Sequence, residues 1–172
     1  MALARALALA IAGSAAAVTK RGDARANTIV GTPQADRLSG LAGDDTLRGL
    51  GGHDRLFGGN DDDRLSGGAS NDRLEGGNDD DRLSGGASND RLEGGNDDDR
   101  LFGGTGSDTL MGASGRDNAR GEAGDDRIAG GLGNDTLAGG PGLDTVSGDG
   151  GLGDDYIFTG GGPDRVIRGG PG

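Results

Sequence analysis

Residues 58–75, GGNDDDRLSGGASNDRLE, recur letter for letter as residues 76–93, and residues 94–101 open a third copy. A chain that repeats itself without error over eighteen residues cannot give each position its own place in a single globular core. It has to stack one supersecondary unit on itself. Inside the unit lie two nine-residue halves of common form: Gly-Gly, three variable polar residues, Asp, Arg, Leu and one variable residue. The period of nine can be followed by its Asp without a missed step through Asp36, Asp45, Asp54, Asp63, Asp72, Asp81, Asp90, Asp99, Asp108, Asp117, Asp126, Asp135 and Asp144. Two extra residues enter near Gly148 and Asp149, after which the register resumes at Asp155 and Asp164.

Two residues beyond each Asp lies an apolar residue: Leu38, Leu47, Leu56, Leu65, Leu74, Leu83, Leu92, Leu101, Leu110, Ala119, Ile128, Leu137 and Val146, then Ile157 and Val166 after the insertion. One apolar residue in nine, among so many glycines, excludes a helix. A segment such as Arg64, Leu65 and Ser66 reads as a very short strand with Leu inward and its neighbours outward, since side chains alternate across a strand. The apolar row is the expected interior, with Ala119 its weakest member. The Arg that follows many of the Asp residues (Arg55, Arg64, Arg73, Arg82, Arg91, Arg100) reads as a solvated outer-face residue, and exposed pairs such as Arg73 with Glu75 or Glu93 contribute little.

Such an interior is thin. Hydrophobic residues make up 31% of the chain, aromatics 2%, and 41 residues are Gly, the residue that loses most backbone entropy on folding. Without an external source of stability this composition predicts disorder. The net charge of -12 pushes the same way, argues against nucleic acid or an anionic membrane as partner, and makes cations the natural one. Cys is absent, so neither a disulfide nor a thiolate site supplies the missing stability, and the ligands have to be oxygens. Nothing in the sequence supports catalysis: His53, the only His, sits in a repeat turn, and the Ser residues lack a base partner.

Residues 130–138, GGLGNDTLA, match every fixed position of G-G-x-G-x-D-x-U-x, and fifteen Asp residues keep that register. The pattern resembles the RTX, or haemolysin-type, calcium-binding nonapeptide repeat. The resemblance implies an all-β, right-handed parallel β-roll, a β-solenoid in which two repeats make one eighteen-residue turn and polar loops line each edge. It also implies several calcium ions held between successive turns. The candidate ligands are the side chains of Asp36, Asp45, Asp54, Asp63, Asp72, Asp81, Asp90, Asp99, Asp108, Asp117, Asp126, Asp135, Asp144, Asp155 and Asp164, with carbonyls from loops such as residues 103–107. Stacked strands lie about 4.8 Å apart, so Asp63 and Asp81 on one edge repel unless a cation lies between them. Calcium takes six to eight oxygens at roughly 2.3 to 2.6 Å, whereas magnesium demands a tighter octahedron.

With eighteen residues per turn, alternate repeats fall on opposite edges. Asp61, Asp79 and Asp97 share one edge with their following acids, while Ser70 and Ser88 share the other. These five replace the Gly of the fourth position, where a left-handed backbone is expected and a side chain is strained. The extra carboxylates read either as added calcium ligands or as solvated charge.

Residues 1–18 hold one Arg and then an uncharged Ala/Leu run, the pattern of a signal peptide rather than a transmembrane helix. Cleavage fits after Ala17 or after Ala26, and the repeat that begins right after Ala26 favours the second, with residues 1–26 as the signal peptide and residues 27–172 as the roll. The expected function is a secreted, non-enzymatic, calcium-binding repeat protein that folds on binding calcium, without membrane insertion. The alternative is a detached or truncated repeat module of a larger secreted lytic enzyme or toxin of the same family. Ice binding is disfavoured, because the outward positions mix Arg, Thr, Glu, Ser and Phe.

Overall fold

A computed structural model describes residues 16–148 and 153–167. Most of the expected signal segment (residues 1–15), the insertion (residues 149–152) and the C-terminal residues 168–172 lie outside the described residues. The odd strands β1 (Thr19–Arg21), β3 (Arg37–Ala42), β5 (Arg55–Asn60), β7 (Arg73–Gly77), β9 (Arg91–Asn96), β11 (Thr109–Ser114), β13 (Arg127–Leu132), β15 (Thr145–Ser147) and β17 (Arg165–Ile167) form one sheet in that order. The even strands β2 (Thr28–Val30), β4 (Thr46–Gly51), β6 (Arg64–Ala69), β8 (Arg82–Ala87), β10 (Arg100–Thr105), β12 (Asn118–Ala123), β14 (Thr136–Pro141) and β16 (Tyr156–Gly161) form the other. Every pairing is parallel, and the chain crosses from one sheet to the other at each repeat. This is the expected β-solenoid.

The register follows from the repeat. Leu65 pairs with Leu83 and Leu83 with Leu101, eighteen residues apart. Between β14 and β16 the step lengthens to twenty, with Leu137 against Ile157, which places the two extra residues between Ser147 and Tyr156. The strands differ from the expected three residues: most have six and run on through the two glycines, as in β6. Gly-Gly reads as a turn because it has no side chain, yet here it continues the ladder, with Gly68 opposite Gly86.

Three residues of each repeat face inward: the Asp, the apolar residue two on, and the first Gly two further on. The apolar row from Leu38 to Val146 is buried throughout, and Ile29 extends it one repeat upstream. Val18 and Ile157 pack partly against its ends, and Val166 is exposed. Full burial of each such side chain is worth about 1.5 to 3 kcal/mol, so the row holds the sheets together but offers each turn only two such contributions.

From residue 40 to residue 144 each turn reverses through left-handed backbone at the second and fourth repeat positions. Asp61 (φ 70°), Ser70 (79°), Asp79 (72°), Ser88 (80°) and Asp97 (74°) adopt it at the fourth, as expected. Leu41 (98°), Leu50 (87°), Ala113 (91°) and Glu122 (73°) adopt it at the second. Across those residues no turn carries both substitutions: Gly59 faces Asp61 and Gly43 faces Leu41 across their loops, so each of these turns keeps one glycine where the backbone is left-handed.

Candidate metal site

The registered Asp residues do not project from the edges. From Asp36 to Asp144 all are at most 5% exposed, enclosed where each strand begins. Their backbones are used fully: the Asp63 carbonyl accepts the Arg82 N–H at 2.9 Å and the Asp81 carbonyl that of Arg100 at 2.9 Å. One side-chain oxygen is used as well. Asp81 Oδ1 accepts the N–H of Asp63, one turn earlier, at 2.8 Å; Asp90 Oδ1 accepts that of Asp72 at 2.7 Å; and the same bond recurs from the Asp36 N–H to that of Asp144. Each carboxylate is thereby fixed against the turn before it.

The other oxygen has no donor. Oδ2 of Asp45, Asp54, Asp63, Asp72, Asp81, Asp90, Asp99, Asp108, Asp117, Asp126, Asp135, Asp144 and Asp164 is buried without a hydrogen-bond partner. One such group costs about 1 to 3 kcal/mol, more when charged; a whole row of them is a demand for positive charge. Asp36 is different, because the Thr32 N–H donates to its Oδ2 at 2.5 Å and the Thr32 hydroxyl adds a bond at 3.0 Å. Asp155 is only half-buried, and its Oδ1 accepts the Asp135 N–H at 3.0 Å.

Beside each free oxygen from Asp45 to Asp144 lies the inward glycine, whereas Thr159 holds that position before Asp164. A Cβ on Gly58 would overlap Asp63 Oδ2 and lie 2.7 Å from the Gly76 carbonyl oxygen one turn on. The same cradle recurs at Gly76, with Asp81 Oδ2 and the Gly94 carbonyl, and at Gly85, with Asp90 Oδ2 and the Gly103 carbonyl. An anionic oxygen and a neutral carbonyl oxygen from neighbouring turns thus converge on a space only glycine leaves open. Among the described residues no three acidic or His side chains gather as a metal cluster, so backbone carbonyls would have to complete the coordination. That donor set, hard oxygens of mixed charge in a glycine loop, suits calcium.

Burial sets the protonation of the row. Loss of water, partly offset by the N–H from the turn before and reinforced by stacked carboxylates, raises Asp99 to about 8 and Asp63, Asp72, Asp81 and Asp90 to about 7. Desolvation also takes Asp117 to about 7 and Asp126 and Asp135 to about 6, and it raises Asp45, Asp54, Asp108 and Asp144.

The outer acids have other partners. Asp61 Oδ2 accepts the Gly43 N–H at 2.8 Å and Asp79 Oδ2 that of Asp61 at 3.2 Å, so an Asp at the fourth position caps the turn before it. At the fifth position the bond runs the other way: Asp62 Oδ1 accepts from Asp80, Asp80 from Asp98 and Asp98 from Arg116, at 3.2, 3.0 and 2.8 Å. Arg116 ends this column with its guanidinium 2.7 Å from Asp98 Oδ2, which holds that carboxyl below its ordinary value. On the opposite edge Asn71 and Asn89 serve the same purpose without charge, and His53 Nδ1 lies 3.0 Å from the Asn71 carbonyl oxygen. The edges are as unlike as expected, but the extra carboxylates are exposed backbone acceptors. Sequence reasoning missed this fifth-position ladder, whose only signal is the recurrence of Asp or Asn there.

Comparison with known proteins agrees with this geometry. The family model for the RTX calcium-binding nonapeptide repeat (4 copies) matches residues 21–56, 48–83, 57–92, 75–110, 84–119, 111–146 and 149–166. No curated protein matches the chain at a significant level.

Proposed function

This chain belongs to the RTX calcium-binding nonapeptide repeat family, and from that premise we propose that it is a secreted, non-catalytic β-roll that binds calcium along both edges and folds as it does so. The observation that carries the proposal is the row of buried Asp Oδ2 atoms without a donor, from Asp45 to Asp144 each beside an inward glycine, with a carbonyl of the next turn close by at glycines such as Gly40, Gly58, Gly76, Gly103 and Gly112. The Asp side chains from Asp45 to Asp144, with Asp164 and the half-buried Asp155, are the ligands from the side chains; the carbonyls of glycines such as Gly76 and Gly94 are the neutral ligands. Asp36 is the weakest member, since Thr32 already satisfies its second oxygen. Calcium bound there supplies the positive charge that offsets stacked, desolvated carboxylates.

The non-catalytic reading rests on the absence from the sequence of any nucleophile beside a base, and on the engagement of His53 with the Asn71 carbonyl. Export rests on the signal-like sequence of the first residues. We favour cleavage after Ala17, because the Val18 N–H donates to Asp36 Oδ1 at 2.6 Å and β1 pairs with β3; cleavage after Ala26 would remove that strand.

The test is far-ultraviolet circular dichroism of the mature chain. In excess chelator at pH 8 the expected spectrum is largely disordered, with β structure appearing cooperatively at millimolar calcium and not at equal magnesium. Equal β content with and without metal would overturn the proposal. Protein recovered from the medium should begin at Val18; Met1 on a cytoplasmic protein would overturn export.

A further inference from the structure

The two outer faces differ in a way that calcium binding does not use. On β4, β6, β8, β10 and β12 the outward positions flanking the apolar row carry Arg48, Arg64, Arg82, Arg100 and Arg120, one per strand and all exposed, with no Asp or Glu among them. Arg64, Arg82 and Arg100 are register partners, so their columns repeat at the strand spacing of about 4.8 Å and the five strands span about 19 Å along the roll. None of the five has a carboxylate within ion-pair distance among the described residues; Arg82 alone has a partner, stacked 4.4 Å from the centroid of the Phe102 ring. The opposite face also carries an Arg column, Arg37, Arg55, Arg73 and Arg91, with Arg127 beyond it, but Glu75 and Glu93 stand among them and pair with Arg73 and Arg91 at 3.6 to 3.8 Å. A chain of net charge -12 thus presents on its even strands a face of guanidinium groups with no acid among them, whereas two Glu interrupt the Arg of the other face.

We propose that this Arg face, centred on Arg64, Arg82 and Arg100, binds a linear anionic polysaccharide laid along the roll. Charge complementarity and the even spacing call for an extended ligand with regularly repeated anionic groups. The hydroxyls of Ser66 and Ser84, in the column that runs from Arg48 to Arg120, make no hydrogen bond among the described residues and are free for sugar hydroxyls. Single-stranded nucleic acid needs aromatic platforms for its bases. Phe102, the one aromatic side chain among these positions, is covered by Arg82. Asp62, Asp80 and Asp98 border the Arg columns, and Glu122 lies at the far end of β12, so the acidic edges repel a polyanion until cations neutralise them. The calcium dependence of the binding, though not the surface itself, therefore rests on the calcium reading above.

The experiment immobilises dextran sulfate, unsulfated dextran and oligothymidylate and measures binding of the full chain, with circular dichroism reporting its folding under the same conditions. The expected result is calcium-dependent binding to dextran sulfate and none to dextran. Replacing Arg64, Arg82 and Arg100 by Gln should weaken it at least about tenfold and lower the slope of log affinity against log salt by about 2, at about 0.7 per lost contact on a single-stranded polyanion. Replacing Arg73, Arg91 and Arg127 by Gln on the opposite face should change it less than about twofold. If the triple variant fails to fold, Arg64→Gln and Arg100→Gln singly carry the comparison, each weakening binding more than Arg73→Gln. Failure of calcium-folded protein to bind, equal losses from both faces, or tighter binding to oligothymidylate would overturn the proposal. A roll that is folded in chelator but still uses the Arg face would uphold it and refute the calcium reading; a chain folded in neither condition would refute both.

Discussion

Replacing Gly76 by Ala tests the cradle with a single methyl group. The Gly76 backbone lies outside the left-handed region, so the substitution ought to be harmless, and where an Ala fits it stabilises by about 0.4 to 1 kcal/mol through the unfolded chain. Here the new Cβ would overlap Asp81 Oδ2, with the Gly94 carbonyl oxygen 2.7 Å and Asp81 Cγ 2.8 Å away. Two of these neighbours belong to a short side chain that cannot withdraw freely, because its Oδ1 holds the Asp63 N–H at 2.8 Å. The third is backbone. Overpacking of this kind costs about 1 to 3 kcal/mol and loss of the Asp63 bond adds about 1, so after the gain through the unfolded chain a net destabilisation of about 1 to 3.5 kcal/mol is expected. Gly51 is the control: a Cβ there meets only Pro33, at 3.8 Å, and its φ is not left-handed, so Gly51→Ala should stabilise by about 0.4 to 1 kcal/mol. Thermal melting in saturating calcium and the calcium midpoint of folding at 25 °C report both variants. Gly76→Ala should melt lower and need more calcium, Gly51→Ala should melt slightly higher, and a Gly76→Ala variant as benign as Gly51→Ala would refute the cradle.

In chelator, stability should fall as pH rises. The folded roll keeps protons on Asp63, Asp72, Asp81 and Asp90 to about pH 7 and on Asp99 to about pH 8, whereas unfolded carboxyls release theirs near 3.8, so the folded state is favoured at low pH and this contribution is lost between about pH 4 and 8. Circular dichroism in chelator should show more β structure at pH 4.5 than at pH 8.5, and the reverse order would contradict the burial of the row. Ser88 holds φ 80° and its hydroxyl makes no hydrogen bond among the described residues, so Ser88→Gly should raise stability in calcium by about 1 kcal/mol. Asp79→Gly should change it little, since relief of strain is set against the bond from the Asp61 N–H; equal melting shifts would show that the side-chain cap contributes nothing. Ala119 is fully buried between Leu101 and Leu137, and at about 0.8 kcal/mol per CH₂ Ala119→Leu should add up to about 2 kcal/mol and slow hydrogen exchange across residues 112–120. A loss of stability there would mean that the two sheets close over Ala119 and leave no space.

The period, the apolar row, the two-residue insertion and the unlike edges were legible because each is a property of spacing, and spacing survives stacking. The burial of the acids was equally available but runs against the habit of placing charge outside. Asp63, Leu65 and Gly67 stand at i, i+2 and i+4, so alternation puts all three on one face, and only the interior row of Leu was expected there. Left-handed backbone at Asp61 and Ser70 was anticipated from missing glycines, whereas at Leu41 and Glu122 it was not, because a large side chain at the second position gives no sign that Gly43 or Gly124 relieves the same turn. The ladder of Asp62, Asp80 and Asp98 was illegible for a different reason. Its bonds join a side chain to the backbone of another turn, and the direction of that bond depends on which way the loop faces, which no spacing records.

The most direct measurement is calcium stoichiometry. Asp63, Asp72, Asp81 and Asp90 can be replaced together by Asn, which keeps their shape and the acceptor for the preceding N–H but replaces the unpartnered anionic oxygen with an amide. Equilibrium dialysis at pH 8 in saturating calcium should find fewer ions bound per chain than in the unaltered protein, while circular dichroism in chelator shows at least as much β structure, because four buried charges are gone. The same number of bound ions in both proteins would contradict the account.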